Sequence, residues 1–417
     1  MVTKTMIVAI VVAVMVVGVA AGAFFLLKDN DTTYEEGVLV DFGDHTGQWI
    51  PSETNGVLLT DAVGNALQKK ELPIVLSGNG VLSVNGREAG IGESWGYWTY
   101  SAKSNWTKIT DTNIKLSNKS YLALALTKEG KEPLLPCLDA LGNRLFSGTS
   151  NSIVSLSAVA SEILCKVGKI DSLVAVDYYS NYPAELKTKG LVKEWGFYAT
   201  PPTAEIVGSY NPDFVVGEEG NHDGLLKTLN GSGIRCLSLY QANTLEAVYK
   251  NIWMIGAATG QFKEANETIL KMQQDLKDLL DNTNVANFKD KTAVILMGNE
   301  WYVAAIGHGT FIDDVISRTG VKNEFPNSGW IMDKEYITTG HPDIVIFIAD
   351  EDMSGKSIKD ILSTEKSHLP NWPNADGDTW AGVTLYCVDG ESGDMFLRAG
   401  PRIMQALSAL LNASPVT

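Results

Sequence analysis

Histidine is scarce in this chain. Five are present among 417 residues (His45, His222, His308, His341 and His368), and no two stand at metal-ligand spacing. The HExxH, GxSxG and P-loop patterns are also missing. Asp and Glu are plentiful, but no spacing marks out a catalytic carboxylate pair. These absences point away from an enzyme, and no resident metal or cofactor is expected. Basic charge is short as well: 33 Lys and Arg stand against 49 Asp and Glu, a formal net charge of -16. No basic patch is left to release counterions from a phosphate backbone, which excludes a nucleic-acid partner. The four cysteines, Cys137, Cys165, Cys236 and Cys387, are far apart and form no CxxC. They read as small apolar residues. A disulfide is permitted outside the cell, and the sequence leaves its pairing open.

The chain does have a long apolar run. Residues Met6 to Leu27 carry no charge, and about 20 apolar residues span a bilayer as a helix. Lys4 precedes the run, and Lys28, Asp29, Asp31, Glu35 and Glu36 follow it. This flank points to a short cytoplasmic N-terminus with the rest of the chain outside. A cleaved secretory signal is the alternative, although its apolar region is usually shorter. Either way the body is placed beyond the cytoplasm, as an extracellular protein on the cell membrane. No cysteine lies in or just after the run, which argues against a lipid anchor. Sequons begin at Asn30, Asn105, Asn118, Asn230, Asn266 and Asn412 and suit a glycosylated surface protein.

Beyond the run (6–27), two folding units are expected. The first covers 35–128. Val38, Val40 and Phe42 alternate in a strand. Ala62, Val63, Ala66 and Leu67 make a helical stripe, and Asn85-Gly86 signals a hairpin. Trp95 to Tyr100 and Tyr121 to Leu126 complete a small α+β domain. Residues 129–149 lack periodicity and read as a linker. From Ile153 short apolar strands alternate with helical patterns, which predicts α/β units over 150–417. Thr244 to Asn282 reads as helix with a dip at Gly256 and Gly260. The expected fold class is α/β. Two Rossmann-like lobes (150–243 and 288–417) are joined by one long backbone helix (244–283), preceded by the α+β domain and the N-terminal transmembrane helix. A ligand site between the lobes follows, since sites favour domain interfaces.

The stretches IVSLSAVASEILCKVG, LVAVDYYSNYP and AEIVGSYNPDFVVG resemble the opening of the helical-backbone, cluster-III substrate-binding proteins. These serve ABC importers of vitamin B12, ferric siderophores and haem. GNEWYVAAIGHGTFIDDVISRTGVKNEF, SGWIMDKEYITTGHPDIVIF and GDMFLRAGPRIMQAL continue the likeness from Ser152 to the end of the chain, toward the B12-binding branch. VLVDFG, TDAVGNAL, VLSVNG and WGYWTY in the first domain resemble a transcobalamin C-terminal-like domain, which forms one jaw on a corrinoid.

The resemblance implies a receptor that binds a corrinoid between two lobes and delivers it to an ABC permease. It puts Tyr178, Tyr179, Tyr182, Trp195, Phe197, Trp301, Tyr302, Trp330, Asp394, Phe396 and Arg398 on the ligand. Rigid aromatics suit the flat corrin face, and a few polar groups suit its amide rim. It also implies that Glu205 and Glu335, one per lobe, dock on permease arginines, as surface charge favours oriented encounter. Glu218 and Glu219 stand where B12-binding members carry an aromatic and an arginine. His222 and His308 fall in loops of the same face. Imidazole suits cobalt or iron, yet lone loop histidines more often serve as polar loop residues or caps. A ferric siderophore or haem receptor of the same fold stays open, as does a surface adhesion protein.

Overall fold

A computed structural model describes residues 36–77, 80–101, 105–116, 121–145, 148–197, 200–299, 302–325, 329–331, 342–349, 352–363 and 383–416. The apolar run 6–27 lies outside them, and among the described residues no helix is long and apolar enough to cross a membrane.

The N-terminal domain is built from β1 (Gly37–Asp41), β2 (Gly47–Pro51), α1 (Leu59–Lys69), β3 (Ile74–Ser77), β4 (Gly80–Val84), β5 (Arg87–Glu88), β6 (Glu93–Ser101), β7 (Asn105–Ile109) and β8 (Tyr121–Lys128). Its main sheet runs β2-β1-β8-β6-β7, and β3, β4 and β5 form a ribbon beside it. Asn85 and Gly86 both take positive φ, as a tight hairpin between β4 and β5 requires.

Successive strand residues face opposite ways, yet Tyr121 to Leu126 of β8 are all buried. Both faces of the sheet are therefore covered. One face, with Val38, Val40, Leu122 and Leu124, receives the α1 stripe of Leu59, Ala62, Val63, Ala66 and Leu67. The other, with Leu39, Trp49, Tyr121, Ala123 and Ala125, joins the core of the C-terminal unit. The alanines let the sheet come close. Asn266 exchanges two hydrogen bonds with the Gly47 backbone, each 3.1 Å, and Gln273 donates to the Asp44 carbonyl at 2.9 Å. The Asn266 amide, part of one sequon, is thus committed to this contact.

The stretch expected to be a linker is packed down. Buried Asp41 accepts from the amides of Leu134 and Leu135 at 2.6 and 2.9 Å. Asp139 takes the Ser238 amide at 3.0 Å. All four cysteines are free thiols.

The first lobe holds β9 (Ile153–Ser155), α2 (Ala158–Lys166), β10 (Leu173–Val176), α3 (Glu185–Thr188), α4 (Ala204–Gly208), β11 (Phe214–Glu218), α5 (Asp223–Gly231) and β12 (Arg235–Leu239). Its parallel sheet has the order β10-β9-β11-β12. α6 (Leu245–Thr259) and α7 (Phe262–Leu280) lead to the second lobe. There β13 (Thr292–Gly298), β14 (Val303–Ile306), α8 (Phe311–Ser317), β15 (Lys322–Asn323), β16 (Trp330–Ile331), β17 (Ile344–Ala349), α9 (Ile358–Ser363), β18 (Thr384–Val388), α10 (Gly390–Phe396) and α11 (Ile403–Leu411) surround a mixed sheet. Its order is β16-β14-β13-β17-β18, with β15 on β13. Ser157, Thr203, Thr244 and Thr310 each cap a helix by accepting an amide of its first turn.

The expected single backbone helix is two helices. Gly260 takes the left-handed conformation, φ 72°, and ends α6, with the Gln261 amide bonded back to the Gly256 carbonyl at 2.8 Å. The pair still unites the lobes. Trp253 and Ile255 share one core with Ile163 of the first lobe and Val315 and Leu407 of the second.

Candidate ligand-binding site

In an open parallel sheet, ligands bind beyond the carboxyl ends of the strands, where the strand order reverses. In the first lobe that point is β9, flanked by β10 and β11. Three loops converge there: Leu156–Ser157, Asp177–Tyr182 and Glu219–His222. The Tyr178 amide bonds the Trp195 carbonyl at 2.8 Å, which ties in a fourth loop. Asp177 and Ser180 share a short hydrogen bond. From Ser180 a chain of hydroxyls runs to Ser161 (2.7 Å) and on to Ser155 (2.9 Å). Burial raises the Asp177 carboxyl to about 6 against the pull of Ser180, the Tyr179 amide and Arg398. Glu218 is raised further, to about 7, by burial and by the Asp177 charge, with Ser157 opposing. The wall thus holds two carboxyls that exchange protons near neutrality.

Aromatic rings stand around this acidic wall. Tyr178, Tyr179, Tyr182 and Phe197 are 53%, 38%, 38% and 39% exposed, a large apolar area left open to a ligand. Tyr178 meets Tyr179 edge to face at 5.3 Å. Tyr179 packs where Gly196 has no side chain; a Cβ there would lie 3.3 Å from the ring.

Other expected contacts are placed differently. Trp195 is buried in the core of the first lobe, and Phe396, 1% exposed, in the main core. Their side chains hold loops in place and have no free face for a ligand. Tyr302 is half-buried, with its hydroxyl 3.6 Å from Met297 Sδ. Trp330 starts β16 and pairs with Ile306. Trp301 and Glu335 lie outside the described residues. Glu205 is exposed in the first turn of α4, and its hydrogen bond with Thr203 keeps its carboxylate ionised to lower pH.

Arg398 is the main correction. It is buried between the lobes, where Nη1 donates to Glu162 Oε1 at 2.9 Å and to Asn181 Oδ1 at 2.6 Å, and Nη2 pairs with Asp394 at 2.9 Å. Arg402, four residues on at the N-cap of α11, grips both oxygens of Glu162 at 2.9 and 2.6 Å and reaches Glu391 at 2.9 Å. The Tyr182 ring covers its guanidinium at 3.7 Å. Glu162 belongs to the first lobe and both arginines to the second, so the network clamps the lobes beside the aromatic loop. Asp394 serves the clamp as well. Sequence reasoning missed Glu162, yet it left a signal: a carboxylate within the apolar AVASEILCK helix, with two arginines four residues apart elsewhere.

The histidines are not poised as ligands. His222 is buried, and burial lowers its pKa. Its Nδ1 accepts the Glu218 amide at 3.1 Å, which fixes the proton on Nε2. His308 is exposed, with Nδ1 3.5 Å from Asp313. Among the described residues no cluster of three His, Cys, Asp or Glu forms a metal site.

A parallel-stranded first lobe with aromatic loops at its strand ends, joined by packed helices to a second lobe on a mixed sheet, gives the two-lobed architecture of a solute-binding protein. The chain belongs to the periplasmic binding protein family, whose profile matches residues 153–366. It is 27% identical over 270 residues to an uncharacterized ABC transporter substrate-binding lipoprotein of Bacillus subtilis, covering 62% of this chain and 78% of that one. It is 24% identical over 263 residues to the vitamin B12-binding protein of Yersinia pestis, covering 62% and 84%. A possible iron-binding periplasmic solute-binding protein of Staphylococcus epidermidis shares the fold, with TM-score 0.51, 23% identity and coverage of 64% and 98%. This is a transport component that binds a ligand and delivers it to an ABC permease.

Proposed function

We propose that the ligand is a corrinoid, bound against the Tyr178–Phe197 loops of the first lobe. One observation supports this over an iron chelate. The aromatic platform surrounds two carboxyls, Asp177 and Glu218, while Arg398 is already engaged by Glu162, Asn181 and Asp394. Haem propionates and anionic siderophores would lie over these buried carboxyls with no compensating cation from Arg398, and like charge disfavours that. A corrinoid rim is mostly neutral amide. The rings would cover the flat macrocycle at low entropic cost. The weak likeness to a vitamin B12-binding protein agrees with this reading.

The run 6–27 would anchor the chain in the membrane, with the domains outside the cell. Glu205 would orient the first lobe on the permease, as Glu335 would the second. The transcobalamin-like reading of the N-terminal domain remains part of this proposal. Titration calorimetry of the full chain with cyanocobalamin, cobinamide, haem and a ferric siderophore tests it. Saturable corrinoid binding with silent controls is expected. Haem or siderophore binding with silent corrinoids would move the assignment to iron.

A further inference from the structure

We infer that the N-terminal domain carries a second binding site, for a small organic oxyanion, separate from the interlobe site. A cavity of ≈ 570 Å³ opens at the β6–β7 side of its sheet, and every residue lining it belongs to the stretch 92–132. The strand register explains the hollow. Ser94, Gly96 and Trp98 alternate onto one face of β6, with Thr127 opposite Ser94 and Lys108 opposite Trp98. Gly96 lets the Lys108 stem and the Trp98 indole close over the strand, and the hollow lies beside them along Ser94 and Thr127. A Cβ on Gly96 would lie 3.3 Å from Trp98 Nε1 and 2.9 Å from Lys108 Cε.

The chemistry of that hollow is donor-rich at its buried end. Trp98 is only 7% exposed, and its indole N–H has no hydrogen-bond partner. A buried unpaired donor is a cost that a bound acceptor removes. Lys108 stands 5.7 Å over the same indole and 3.5 Å from Ser94 Oγ. Lys128 and Lys131 also line the cavity, and among the described residues none of the three lysines is in an ion pair.

Glu93, Glu129 and Glu132 line it too, so formal charge is balanced and does not select the ligand. Glu93 is turned to the Gly90 amide at 3.1 Å. Selection comes from the indole, which can only donate, beside an ammonium and the hydroxyls of Ser94 and Thr127. A carboxylate or phosphate satisfies all of these once the Lys108 stem swings off the buried indole N–H, whereas a cation would leave that N–H unmet. The volume suits a small organic molecule.

Calorimetric titration of the full chain in detergent, with citrate and with glycerol 3-phosphate, tests the site. Saturable binding of at least one probe is expected, weakened tenfold or more by Trp98→Phe, which keeps the ring without the donor, and by Lys108→Met. Binding at the interlobe site should be unchanged in both variants. Lys108 is exposed, so its loss leaves the fold intact. Absence of saturable binding by either probe, or full affinity in Lys108→Met, overturns the assignment.

Discussion

Glu218 is held near pH 7 by burial and by Asp177, while an unfolded glutamate titrates near 4.5. The folded chain therefore binds this proton more tightly than the unfolded chain does. The protonated carboxyl favours the fold at low pH, and that contribution is lost as pH rises from about 4.5 through about 7. Glu218→Gln fixes the neutral state. Relative to the parent, its stability should climb between pH 5 and pH 8, by on the order of 2 kcal/mol. Histidine titration is common to both chains and cancels in the difference. Urea melts at the two pH values would show it, and a gap that ignores pH would refute the buried-carboxyl reading. At this scale the sequence was half legible. Tyr178, Tyr179, Tyr182 and Phe197, which the resemblance put on the ligand, are exposed. Trp195, Phe396 and Arg398 are not, because burial depends on partners far along the chain. Arg398 meets Glu162 across 236 positions, and no local pattern encodes that.

Among the elements, glycines divide sharply by what surrounds them. The sequence marked Gly256 and Gly260 as a dip in one helix, but periodicity cannot tell a dip from a break. Composition hides the close packing that decides it. A Cβ at Gly256 would lie 2.4 Å from the Ala265 Cβ, so α7 approaches α6 through that missing side chain. Gly64, within α1, faces open space. Gly256→Leu should destabilise by about 1–3 kcal/mol through overpacking. Gly64→Ala should stabilise by about 0.5–1 kcal/mol through helix propensity and loss of unfolded-chain freedom. Equal effects in denaturant melts would mean that Gly256 holds no close contact. Strands were more legible than this junction. β9, β11 and β17 are short apolar runs buried on both faces, which a parallel sheet demands.

Across the whole molecule, three features oppose movement of one lobe against the other. Helices α6 and α7 share a core with both lobes, the N-terminal sheet lies on those helices, and Glu162 ties to Arg398 and Arg402. The sheet contact places the N-terminal domain along the joining helices as a brace. Ligand binding should therefore shift the lobes by about 1 Å or less, leaving the scattering radius of gyration unchanged. The clamp is the feature to remove. Glu162→Ala removes the carboxylate shared by two buried guanidinium groups and should cost about 3–5 kcal/mol, whereas replacing Glu162, Arg398 and Arg402 with apolar residues of similar size should cost far less. That triple replacement separates charge from packing. If the ion network sets the lobe angle, the replaced protein keeps its stability and gains a ligand-dependent contraction by small-angle scattering. If it stays as rigid as the parent, the helices and the sheet that rests on them hold the lobes without help from the ions.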